Sequence, residues 1–110
     1  VTADPALFLA DLAAESPPPP RGILSQTLYD GEDARLILFG FAPGEELSEH
    51  TAARPAIVHV LAGEGEAVVG GDPHPVGPGS WFHMPARMPH SIRATTPLTM
   101  ALYLLAAAPD

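Results

Sequence analysis

The sequence contains no cysteine and no lysine, and none of its apolar runs approaches the roughly 18 residues expected of a membrane-spanning helix. Without cysteine there are no disulfides, no thiolate nucleophile and no cysteine-held zinc, so any metal must be bound by His, Asp or Glu. Five arginines face 13 acidic residues, for a net charge of −8. Phosphate-backbone binding needs clustered positive charge, so nucleic acid is not an expected partner, and neither is a membrane. No basic segment precedes a short apolar core, which sets a cytoplasmic location as the expectation.

What is present is a chain of 110 residues, 46% hydrophobic, with 14 prolines and 10 glycines. That length holds one core, and so many turn residues imply short strands in preference to long helices. Asp4 to Glu15 is predicted to be a short amphipathic helix: Asp4 can cap it, Pro5 suits its first position, and Leu7, Phe8 and Leu12 form an apolar stripe. Ser16 to Pro20, with four consecutive prolines, continues as an extended, semi-rigid arm, a spacer or a proline-rich ligand for another domain.

From Ile23 onward strand signals recur at short intervals. Strands are predicted at Ile23–Tyr29, Ala34–Ala42, Leu47–Thr51, Ala56–Ala62, Glu66–Gly70, Ser80–Met84, His90–Arg93 and Leu98–Ala106, with a short edge strand at Pro75–Val76. This series indicates an all-β sandwich or small barrel. Pro85 and Pro89 bracket a rigid corner whose two arms carry His83 and His90.

Two segments resemble those of the cupin family. The first family segment runs Gly-x5-His-x-His, then Glu and a closing Gly; here Gly44, His50 and Gly63 match, whereas Ala52 and Ala56 stand at the second His and the Glu. The second runs Gly-x5-Pro-x-Gly-x2-His-x3-Asn; Gly79, Pro85 and His90 match, whereas Arg87 and Ala94 replace Gly and Asn. The resemblance spans about residues 36 to 105. It implies a double-stranded β-helix, or jelly-roll barrel, over residues 23–110, preceded by the N-terminal helix and arm over 1–22. It also implies a divalent transition metal (Fe, Mn, Ni, Cu or Zn), dioxygenase- or isomerase-like chemistry on a small organic molecule, and pairing as a homodimer.

Of the family's metal ligands only His50 and His90 carry over. Because side chains alternate across a sheet, Val58 and Val60 are expected to face inward and His59 outward, and Trp81 and His83 share one face. If that face is the interior, His83 completes a His50, His83, His90 metal site; otherwise it is an ordinary buried or outward histidine. Trp81, Tyr103 and Phe41 are the candidate ligand-binding side chains, although most aromatics in so small a domain must be core. His74 is expected in an exposed turn, and Glu45, Glu46 and Glu49 on a solvated rim. Arg54 and Arg87 are either surface charges or partners for an anionic substrate. Ser91, adjacent to His90, should point to the opposite side and is not an activated nucleophile. Three function classes follow: a metal-dependent enzyme, a non-catalytic barrel that binds or senses a small ligand without metal, or a metal-free structural or interaction domain whose histidines are ordinary core and surface residues.

Overall fold

The computed structural model describes residues 5–106. Nine strands form two antiparallel sheets: β1 (Ile23–Asp30), β2 (Ala34–Phe41), β3 (Glu46–His50), β4 (Ala56–Ala62), β5 (Gly65–Val69), β6 (Asp72–Val76), β7 (Trp81–Met84), β8 (His90–Ala94) and β9 (Leu98–Leu105). One sheet has the order β1-β2-β9-β4-β7 and the other β3-β8-β5-β6. The predicted strand positions agree with these to within two residues, except that β6 extends the expected two-residue edge to five. Pro73 and Pro75 suit β6 to an edge, since each lacks the N–H that a further strand would need. Among the described residues, no helix is long and apolar enough to cross a membrane.

The core lies between the sheets. Phe41, Val58, Val60, Met84, Leu98 and Met100 pack against Ala67, Ile92 and Ala94 of the facing sheet. In β4 the alternation is clean: Ala56, Val58 and Val60 are buried, while Ile57 and His59 lie on the outer face. The outer face of β2 is also covered, where Leu36 and Leu38, with Ala101 of β9, pack beneath Leu9 and Leu12 of the N-terminal segment.

The predicted helix over Asp4 to Glu15 is not formed. Asp4 lies outside the described residues, and only Leu12–Glu15 makes a single 3-10 turn, with no side-chain cap from Asp11. The physical reason is visible in the stripe: Leu7 is 53% exposed and Phe8 85%, so neither is packed on the sheet. A helix this short depends on tertiary packing. An irregular path instead brings both Leu9 and Leu12 onto Leu36 and Leu38.

The arm then crosses β2 at Gly40, where a Cβ would come within 3.0 Å of the Pro18 Cα and the Ser16 carbonyl oxygen. Glycine permits that approach. Gly40→Ala should therefore destabilise the fold by about 1–3 kcal/mol, as overpacking does, and speed tryptic cleavage after Arg21; an unchanged melting temperature and cleavage rate would show that the arm does not rest there.

Candidate functional site

His50 is the last residue of β3 and His90 the first of β8, and the two are direct cross-strand partners. Their register is irregular. Leu47 pairs with Ile92 and His50 with His90, so Ser48 and Glu49 on β3 oppose Ser91 alone on β8. This is a β-bulge, with one extra residue on β3. Leu47 and His50 are three apart, and a regular strand would turn them to opposite faces. The bulge lets Leu47 pack against the core while His50 joins His90 on the inner side.

The result is a close imidazole pair, with ring centroids 4.1 Å apart and ring planes inclined at 62°. Each ring is fixed by a backbone carbonyl two residues earlier: His50 Nδ1 lies 2.8 Å from the Ser48 carbonyl oxygen in β3, and His90 Nδ1 lies 2.9 Å from that of Met88 in the corner before β8. A carbonyl can only accept, so each Nδ1 donates its proton. Each neutral ring is thereby set in the tautomer whose Nε2 carries a free lone pair, as in metal-ligating histidines oriented by a carbonyl.

Behind the pair is a cavity of about 40 Å³, lined by Phe39, Leu47, Val58, Phe82, Met100 and Leu102 with both histidines. That space admits water or an ion but no organic molecule. His50 is exposed and His90 half-buried, so a larger ligand must approach from outside.

The other expected site residues lie elsewhere. His83 is exposed on the outer face of β7, opposite Ile57, because alternation commits its neighbour Met84 to the core. It does not join His50 and His90, and among the described residues no group of three or more His, Cys, Asp or Glu could hold an ion. Trp81, 59% exposed, shares that outer face. Tyr103 packs outside the sandwich against the Leu36–Leu38–Ala101 cluster, and Phe41 is fully buried in the core. None of the three lines the histidine cavity. His59 faces outward as expected, and His74 is exposed, though on β6 and not in a turn. Arg54 donates to the carbonyls of Leu104 and Leu105 and thereby holds the end of β9. Of the cavity wall, Phe39, Phe82 and Met100 are among the side chains expected from the sequence to line or fill the barrel, whereas Leu102 was missed; its inward parity with Met100 was the available signal.

The family model for the Cupin domain matches residues 37–106, more than half of the chain. The chain is a cupin. Similar structures include a conserved protein of unknown function from Streptococcus pyogenes, at 25% identity and a TM-score of 0.83 over 99% of this chain and 96% of that one. A cupin superfamily protein from Desulfitobacterium hafniense is 24% identical, with a TM-score of 0.82 over 93% and 94%. A Cupin 2 conserved barrel domain protein from Leptotrichia buccalis is 32% identical, with a TM-score of 0.78; the match covers 84% of this cupin and 45% of the Leptotrichia chain. No curated protein matches the sequence.

Burial holds the pKa of His90 below its ordinary value of 6.5; the Met88 carbonyl opposes that shift and the nearby His50 adds to it. His90 is therefore neutral at pH 7. Between the lowered folded value and 6.5 the unfolded chain binds more protons than the folded one, so stability rises with pH across that window. Urea midpoints measured from pH 8 down to 5 should fall as pH drops through 6.5, and His90→Gln should remove part of that slope. An identical slope in the variant would show that His90 is not desolvated.

Proposed function

We propose that this cupin binds a divalent transition metal through His50 and His90 and presents it, at the open end of the sandwich, to a small organic molecule. The observation that carries this reading is the pair of Nδ1 contacts to carbonyls, which leaves Nε2 free on two rings whose centroids are 4.1 Å apart. Imidazole donors suit Fe, Mn, Ni, Cu and Zn alike. The fit is to a two-donor site: alanines stand at positions 52 and 56, and no third donor is grouped with the pair among the described residues. Most protein metal sites use three or more protein donors. Affinity for the ion should therefore be modest, with water or the bound molecule supplying the rest of the coordination shell. A bound divalent ion would supply Lewis acidity toward a coordinated oxygen; the chain's own part is to hold two imidazoles in place, back them with an apolar wall, and leave the outer side open.

The second reading, a barrel that binds or senses a small ligand without metal, is favoured by the same shortage of donors. Metal content separates the two. Protein purified without a nickel column should carry, or take up on titration, close to one ion per chain by elemental analysis and calorimetry. His50→Ala and His90→Ala should each weaken uptake by at least tenfold, and His83→Ala should leave it unchanged. No uptake of any of the five ions would leave the metal-free reading.

Self-association is the remaining part of the proposal. The outer strip of Ile57, His59, Trp81 and His83 is left uncovered beside the face that the N-terminal arm occupies. In a homodimer this strip would bury the exposed indole of Trp81. Trp81→Glu should then convert a dimer to a monomer in sedimentation, and a wild-type monomer at micromolar concentration would contradict the assignment.

A further inference from the structure

Arg87 has φ of +67°, alone in positive φ among the described non-glycine residues. That left-handed conformation is unfavourable for an L-residue with a Cβ and persists only where the surroundings impose it. Here the Arg87 amide donates to the Ala52 carbonyl at 2.7 Å, tying the corner between β7 and β8 to the loop between β3 and β4. Those two connections flank His50 and His90. A glycine would meet the same backbone demand without strain, so the arginine must be explained by its side chain.

That side chain has no partner among the described residues: its guanidinium makes no hydrogen bond and no ion pair. Arg35 pairs with Asp30 and Arg54 is spent on the end of β9; Arg21 and Arg93 also have no partner among the described residues, but neither lies on the two connections that flank the histidines. The cavity behind the histidines is too small for an organic molecule. A molecule that reaches the histidines must therefore approach from outside them, beside the corner that carries Arg87 and Met88, whose carbonyl holds the His90 ring.

We propose that Arg87 is the anion-recognition residue of this mouth and selects small organic acids by gripping their carboxylate beside His50 and His90. A guanidinium forks onto a carboxylate with two parallel N–H donors. In a chain of net charge −8, one guanidinium matches a monoanionic carboxylate better than a doubly charged phosphate. The proposal names the substrate class for the reading under Proposed function and rests on it. The ion pair itself needs no metal, so the two can fail separately.

The test is a titration of chelator-treated protein with sodium glycolate, its neutral isostere glycolamide, or inorganic phosphate, at pH 7.5 and constant ionic strength, followed by 1H–15N NMR. Glycolate should produce saturable shifts at the Arg87 Nε–H and the Ala52 and His50 amides, and glycolamide should not. Arg87→Gly and Arg87→Ala should weaken glycolate binding at least tenfold, with Arg87→Lys between them and the wild type. Arg87→Gly should at the same time raise the melting temperature by relieving the backbone, which shows that lost binding is not lost folding. The proposal is overturned if glycolate does not bind, if Arg87→Gly binds it as well as wild type, or if phosphate binds more tightly than glycolate. Metal titration of the same variants reports on the histidine pair independently: arginine-dependent glycolate binding without metal uptake would leave a metal-free acid-binding barrel.

Discussion

Strict alternation of side chains across two packed sheets is the constraint on which this molecule depends. Each inward position must be apolar, or must have its polar atoms satisfied, because the sheets bury one another. Val58, Val60, Met84, Met100 and Ile92 obey the first condition. His50 and His90 obey the second, each giving its Nδ1 proton to a backbone carbonyl two residues earlier in the chain. The pair can sit at the open end of an apolar sandwich because its one remaining unsatisfied atom per ring, Nε2, faces away from that carbonyl. The same lone pairs make the rings useful.

The bulge at Ser48–Glu49 is the local violation that makes the site possible. Without it, the strand that buries Leu47 would turn His50 to the opposite face. The bulged segment also contains Ser48, whose carbonyl fixes the His50 ring. One extra residue thus sets both the direction and the tautomer of a candidate ligand. At the facing corner Arg87 departs from the rule for L-residues in a comparable way, held at positive φ by the Ala52 carbonyl. Both irregularities lie at the same end of the sandwich, where backbone strain and bulges are concentrated at functional sites in general.

Most of the fold was legible in the sequence, because strand patterning and turn residues are local signals. The strands and the outward His59 follow from period-two spacing and turn residues, whereas the pairing of His50 with His90 was suggested only by the two motif segments. The N-terminal helix was not legible, since whether Leu7 and Phe8 find a surface is a tertiary question. His83 was misplaced for a related reason: parity put it on one face with Trp81 but could not say which face until Met84 was seen in the core. Tyr103 and Phe41 were assigned by residue type, which does not distinguish core, outer cluster and cavity wall. The bulge was hidden altogether, because an extra residue in a strand leaves no compositional mark.

Long-range 1H–15N correlation of the imidazole rings at pH 7.5 tests the central claim most directly, because it reads which nitrogen of each ring carries the proton. Protonated Nδ1 and unprotonated Nε2 are expected on both His50 and His90, with both Nε2 signals moving together when zinc is added. Protonated Nε2 on either ring, or a zinc response confined to one of them, would contradict it.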